Sequence, residues 1–339
     1  VNQAIVFTST KRHADLLASE EGRRATILTL VASVAASYIN LRDLDRQLAI
    51  AKSTVESRRE SLRIFELRFA GGVISQMELA QNRSEYESAA AQVPVIEGQV
   101  ARQENALSVL LGRNPGPVLR GRDITQLNLP GVPAGLPSEL LERRPDLLAA
   151  EQNLVAANAR IGAAKALYFP TISLTGLLGG ISGQFSNLFK GASRVWAYAG
   201  DASVPVFTAG GIAGTVQQAE AQQQQALLRY QKAIQTAFRE VEDALVSLQK
   251  SREQLAAQGL QVDALRTYAR LARLRYENGY TSYIEVLDAE RTLFNTEIGY
   301  TQTQGLVFAS LVDLYKAMGG GWVVDAERLT AAEPAPVSK

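Results

Sequence analysis

The sequence predicts a mainly α fold with a small β part: long antiparallel helical hairpins, duplicated within the chain, with one β-hairpin between them. Three observations predict it. Prolines are confined to the middle of the chain and its last residues, the two halves match each other at a constant offset, and the hydrophobic period switches from helical to two in the centre.

Composition narrows the function classes first. The 339 residues carry 35 Lys plus Arg against 34 Asp plus Glu, so the basic footprint of a nucleic-acid binder is missing. Cysteine is absent, which removes disulfides and thiolate chemistry, and His13 is the only histidine, which removes a histidine metal cluster. No cofactor or metal is expected. No run approaches the ~18 consecutive apolar residues of a membrane-crossing helix. A closed β-barrel stays open as a reading, because its strands give a far weaker signal.

No proline precedes Pro94, and none falls between Pro205 and Pro334. Proline interrupts helix interiors, so long helices are expected at residues 20–68 and 214–275, both rich in Ala, Leu, Arg and Gln. At ~1.5 Å per residue each would span roughly 75–90 Å, which points to coiled-coil packing. Each ends at a glycine and is followed by a return helix, at 75–111 and 282–318, with a kink expected at Pro94.

The halves align 207 positions apart without a gap from about residue 27 to 112. Arg68 falls on Arg275, Gly72 on Gly279, Ser75 on Ser282, Glu78 on Glu285, Leu107 on Leu314 and Gly112 on Gly319. Matched glycines are punctuation rather than periodicity, so the pattern is a duplicated hairpin and not a chance coincidence of heptads. Small residues such as Ala32, Ala35 and Ala36, with Ala219 and Ala226, are expected to line faces where helices approach closely.

The centre alternates. Over 170–179, Ile172, Leu174 and Leu178 share one face and Thr171, Ser173 and Thr175 the other. Over 194–205, Trp196, Tyr198, Ala202 and Val204 share one face, with Asp201 and Ser203 opposite. Period two means strands. A lone hairpin is marginal in water, whereas strands of about ten residues, apolar outside and polar inside, suit a membrane barrel closed across several subunits. The apolar set, Ile172, Leu174, Trp196, Tyr198 and Val204, is therefore expected to face lipid, and the polar set the lumen.

Four stretches carry a resemblance: Leu136-Pro137-Ser138-Glu139-Leu140-Leu141-Glu142-Arg143-Arg144-Pro145-Asp146; Ala156-Ala157-Asn158-Ala159-Arg160-Ile161-Gly162-Ala163-Ala164-Lys165-Ala166, continuing through Phe169-Pro170; Pro205-Val206-Phe207-Thr208-Ala209-Gly210-Gly211; and Leu314-Tyr315-Lys316-Ala317-Met318-Gly319-Gly320-Gly321-Trp322. Together they resemble the TolC/OprM/NodT family of outer membrane factors, from about residue 14 to 322. The resemblance implies a homotrimer in the bacterial outer membrane that reaches into the periplasm. Each subunit gives helical hairpins to a periplasmic tunnel and β-hairpins to a shared barrel. A periplasmic adaptor and an inner-membrane pump are the implied partners, and varied small toxic molecules the implied cargo.

The expected domains are 1–112 and 208–319 as the tunnel hairpins, 113–167 as an equatorial connection and helix, 168–207 as the membrane hairpin, and 320–339 as a tail. The family has a signal peptide, usually a lipid-carrying N-terminal cysteine, an N-terminal helix pair and a first β-hairpin. The chain is read as N-terminally incomplete, because its second long helix follows a β-hairpin and its first does not. Family members also have a strand-to-helix connection where residues 1–10 stand.

The resemblance places a gate at the periplasmic tip, on Tyr276, Glu285 and Asp288, with Glu78 as the first-repeat counterpart. Ser75-x-x-Glu78 and Ser282-x-x-Glu285 also read as capping boxes. Asp288 lies at i+3 from Glu285, on the same helix face.

Enzyme readings fare badly. Gly180-Ile181-Ser182-Gly183-Gln184 misses the spacing of a nucleophile elbow. No phosphate-cradling loop occurs, and His13 reads as a surface helix residue. The alternative function is a periplasmic coiled-coil adaptor or structural scaffold. It does not explain Trp196 and Tyr198 on an apolar strand face.

Overall fold

The computed structural model describes residues 2–127, 140–189, 191 and 194–320. Residues 136–139 of the first resembling stretch, Gly321 and Trp322 of the last, and all of the expected tail but Gly320 lie outside the described residues.

The elements in chain order are α1 (Asn2–Ala70), α2 (Gln76–Leu110), α3 (Leu140–Arg143), α4 (Pro145–Lys165), β1 (Thr171–Gly180), β2 (Arg194–Ser203), α5 (Gly211–Glu277) and α6 (Tyr283–Ala317). α1 starts well before the expected residue 20, so helix occupies the segment preceding Lys11. α2 runs as one helix across Pro94. The return helices begin and end where the sequence places them. Ser75 and Ser282 are N-caps, and Leu111 and Met318 are C-caps.

Duplication extends to individual backbone hydrogen bonds. At the first tip Gly71 N, Gly72 N and Val73 N donate to the carbonyls of Leu67, Phe69 and Arg68. At the second tip Asn278 N, Gly279 N and Tyr280 N donate to those of Leu274, Tyr276 and Arg275. Each pair is 207 residues apart. Glycines with positive φ make both turns possible: 71° at Gly72 and 76° at Gly279. The far ends repeat in the same way. Leu111, Gly112 and Arg113 close α2 as Met318, Gly319 and Gly320 close α6, both as left-handed helix stops.

The described chain forms two compact units. One comprises Val1–Ala25 with Pro145–Thr236, the other Thr26–Arg144 with Ala237–Lys339. In the first, Phe7 lies against Gly162, where a Cβ would come within 2.5 Å of the ring. Arg160 reaches Asp15 at 3.5 Å, and Lys165 reaches Glu220 at 3.5 Å. β1 and β2 form the sheet of this unit.

The second unit holds both tips and its core consists of helix–helix seams. Phe65, Ala272, Tyr283, Val286 and Ala289 are buried near the tips, and Ala244, Leu248, Val307, Leu311 and Leu314 further along. The 113–127 segment is fastened by Arg120, which bridges Asp45 (3.0 Å) and Glu104, and by Gly121 N, which donates to Tyr38 Oη at 2.7 Å. Arg144 is buried. It donates to the Ala317 carbonyl at 2.9 Å and pairs with Glu240 at 2.7 Å, so it caps the end of α6.

Ala32 and Ala219 are buried inside the single chain, so they pack within it, while Ala35, Ala36 and Ala226 are half-buried. An 18-residue window of α1 reaches a mean hydropathy of 1.3 with 17% of it buried. By length and composition alone that stretch is apolar enough to cross a membrane, without any run of 18 apolar residues.

Candidate functional site

Two places gather the residues singled out in the sequence. The first is the β-hairpin. Its register pairs Ile172 with Ala202, Leu174 with Gly200, Gly176 with Tyr198, and Leu178 with Trp196. Directly opposed residues share a face, so Ile172, Leu174, Leu178, Trp196, Tyr198 and Ala202 lie on one side. That side is bare: Leu174 is 82% exposed, Trp196 70% and Tyr198 75%. The two aromatic rings stack at 5.8 Å and 8°. Val204 continues the parity one residue beyond β2 and is exposed.

The other side carries Thr171 opposite Ser203, Ser173 opposite Asp201, and Thr175 opposite Ala199. It turns apolar toward the loop, where Leu177 opposes Ala197 and Gly179 opposes Val195. The polar face therefore ends at Thr175, a limit the alternation does not announce.

The second place is the pair of hairpin tips. Glu78 forms the expected capping box. Its carboxylate accepts from Ser75 N at 2.8 Å, and its own N–H donates to Ser75 Oγ at 3.2 Å. Glu285 does not, which corrects the second capping box. Ser282 makes no side-chain cap bond. The Glu285 carboxylate instead accepts from the Thr281 hydroxyl and pairs with Arg275 at 3.4 Å. The cause is competition between donors. Thr281 has Ile74 as its first-repeat counterpart, which has no hydroxyl to offer Glu78. Arg68, the counterpart of Arg275, lies over the Tyr276 ring, 5.9 Å from its centre.

Tyr276 stacks on Phe65 (6.1 Å, 14°) and tilts against Tyr283 (5.0 Å, 55°). Asp288 is well exposed and its only described ion pair is with Arg291, one turn on, at 3.0 Å. Glu285 and Asp288 do meet in one place, an open cleft of about 600 Å³ that also takes in Glu85 and Arg291. Tyr276 and Glu78 are not part of its lining.

Sequence reading missed a buried polar cluster beside these residues. Asn82 Nδ2 donates to Tyr283 Oη at 2.6 Å and to Ser61 Oγ at 3.2 Å, and the two hydroxyls are 3.1 Å apart. α1, α2 and α6 are thus joined across the two repeats. Burial raises the Tyr283 phenol above its usual range, so it stays a neutral hydrogen-bonding group. The available signal was the alignment itself, which places Ala289 at the counterpart of Asn82. Tyr283→Phe removes the partner of a buried amide, and ~1–3 kcal/mol of stability is expected to go with it. Thermal unfolding checks this: the variant should melt below wild type, and Tyr268→Phe, at the counterpart of Ser61, should not.

The sequence model for "Outer membrane efflux protein" matches residues 8–113 and 136–320. Over 309 residues the chain is 40% identical to the solvent efflux pump outer membrane protein SrpC of Pseudomonas putida, covering 91% of this chain and 66% of SrpC. It is 38% identical over 316 residues to the cation efflux system protein CusC of Escherichia coli, covering 93% of this chain and 68% of CusC. The chain thus spans about two-thirds of the length of these curated relatives. Among solved structures it resembles the open state of the MtrE outer membrane channel of Neisseria gonorrhoeae, with a TM-score of 0.83 and 33% identity, covering 94% of this chain and 72% of that one.

Proposed function

This chain belongs to the outer membrane efflux protein family, and from that premise we propose that it is the larger part of one subunit of a homotrimeric outer-membrane channel exporting small toxic molecules. The observation that carries the reading is the β-hairpin: ten paired positions, with an exposed apolar face running from the Ile172–Ala202 pair to the Leu178–Trp196 pair. Ten residues at ~3.3 Å rise, tilted as barrel strands are, reach about the 25 Å height of an outer-membrane apolar band. On this reading Ile172, Leu174, Trp196, Tyr198 and Val204 meet lipid. Thr171, Ser173, Thr175, Asp201 and Ser203 meet the water-filled lumen, and barrel closure across subunits satisfies the strand edges. The helical hairpins of 1–112 and 208–319 build the periplasmic tunnel. A soluble scaffold would leave the strand face uncovered.

Transport rather than catalysis is the proposed activity. SrpC and CusC are named for solvent and cation efflux, and cargo of this breadth suits a wide lumen better than a shaped pocket. A periplasmic adaptor and an inner-membrane pump complete the system. Both tips expose apolar residues at matched positions: Leu67 and Leu274, Val73 and Tyr280, Met77 and Ile284. These offer an adaptor two similar surfaces per chain.

The gate is proposed at the tips. Under three-fold symmetry Asp288 forms an acidic ring that retains cations, with Glu285 beside it in the same cleft. Tyr276, held by Phe65 and Tyr283, fixes the helix ends, and Glu78, set by its capping box, is the first-repeat counterpart of the gate. Single-channel recording of the complete protein in planar bilayers tests both levels. Wild type is expected to form channels blocked by divalent cations, and failure to conduct refutes the channel. Asp288→Ala should raise conductance and weaken block more than Glu285→Ala. If it changes neither, the gate is elsewhere.

A further inference from the structure

We propose that Asp43 makes the contact between α1 and α6 a proton-dependent joint, tight when its carboxyl is neutral and loosened when it ionises. Asp43 is only 7% exposed. Gln47 Nε2 donates to Oδ2 at 2.9 Å, while Oδ1 is buried without a hydrogen-bond partner. On α6 the group facing it is Gly305. A Cβ there would lie 3.2 Å from the Asp43 Cβ and 3.5 Å from Oδ2. The bare glycine is what lets a carboxyl sit flat against the neighbouring helix.

A polar layer extends from this point. Gln302 on α6 donates to Gln47 Oε1 at 3.4 Å. Gln254 on α5, the repeat counterpart of Gln47, donates to Thr303 on α6 at 3.4 Å. Two equivalent glutamines thus converge on adjacent residues of one helix, and only α1 adds an acid. The counterpart of Asp43 is Lys250, which lies on the surface paired with Glu253 at 2.8 Å.

The nearby charges are committed elsewhere. Arg42 pairs with Asp45 at 2.6 Å and donates to the Arg122 carbonyl at 3.1 Å. Arg120, from the 113–127 segment, is held by Asp45 and Glu104. Arg46 acts with Arg42 on Asp123. From α6, Gly305 faces the carboxyl and Gln302 reaches its partner Gln47, and neither titrates. Among the described residues no cation is paired with it.

An ionised carboxylate here is a buried charge without compensation. Burial accordingly raises the Asp43 carboxyl above the usual range, with Gln47 opposing in part. Linkage fixes the sign. The folded state holds the proton more tightly than the unfolded one, so the stabilisation is complete below the ordinary carboxylate range. It is lost as pH climbs from there through the raised folded value. Within that window local opening at the joint grows up to about tenfold per pH unit.

The test uses the complete protein in detergent. Melting temperatures of wild type and Asp43→Asn are compared from pH 4 to 8. Asparagine keeps the shape and cannot ionise, so the wild-type curve should fall relative to the variant as pH rises. Parallel curves overturn the proposal. Hydrogen exchange of wild-type peptides covering residues 40–48 and 300–308, corrected for intrinsic rates, gives a second reading even if the variant does not fold. Protection should drop as pH rises, and protection independent of pH overturns the proposal.

Discussion

Gly319→Ala is expected to destabilise the protein far more than Gly112→Ala, although both glycines end the same helix-stop motif in the two repeats. Both have positive φ, 86° and 68°, and alanine there costs about 1–2 kcal/mol for the left-handed conformation alone. Their surroundings differ. A Cβ at Gly112 meets nothing within 4 Å, whereas one at Gly319 lies 2.9 Å from the Arg143 carbonyl oxygen and 3.0 Å from its carbon. Backbone cannot swing aside as a side-chain tip does, so α3 must shift. The shift also pulls Arg144 from the Ala317 carbonyl that it caps. Overpacking of this kind adds ~1–3 kcal/mol. Thermal unfolding followed by helical circular dichroism should place Gly319→Ala clearly below Gly112→Ala, which in turn falls slightly below wild type. Equal losses would show that Arg143 does not confine Gly319.

The second large effect is expected on the strands. On the proposed reading of this face as the lipid-facing one, Leu174→Arg puts a charge where arginine near the bilayer midplane costs ~2–4 kcal/mol, and the proposed three-fold symmetry triples it. Ser173→Arg, one residue away, turns to the opposite face and should be tolerated in the lumen. With the complete protein expressed at matched levels, the outer-membrane fraction should lose the Leu174→Arg trimer and retain the Ser173→Arg trimer. The reverse outcome would exchange the two faces. Leu177 is a sharper probe. It shares the parity of Ser173 but is apolar and exposed, so Leu177→Arg should behave like Ser173→Arg, by face and not by hydrophobicity.

Much of the fold was legible in the residues. Glycine at 72, 112, 279 and 319 supplies positive φ, serine at 75 and 282 stands at the helix starts, and the 207-residue offset ties them together. All of these are local rules, satisfied within five or six residues, so a sequence states them in full. Alternation did the same for β1 and β2, since antiparallel pairing converts parity along each strand into a shared face. The limits were also local. The early start of α1 escaped notice because residues 2–10 contain neither a helix stop nor a helical stripe.

The candidate site was legible only in part. Glu78 and Glu285 have the same spacing from a capping serine, yet only Glu78 caps, because Thr281 and Arg275 offer Glu285 a better pair of donors. Asn82 meets Tyr283 across 201 residues, and Asp43 meets Gly305 across a still longer separation. By itself the sequence determined the elements, their order, their duplication and the family, because periodicity, turn chemistry and motif are written along the chain. Only the tertiary structure decided which polar side chains are buried together and which remain free to face a lumen or a partner. A side chain with several possible partners takes the one that helix packing brings within 3 Å, and that distance is set by residues hundreds of positions away.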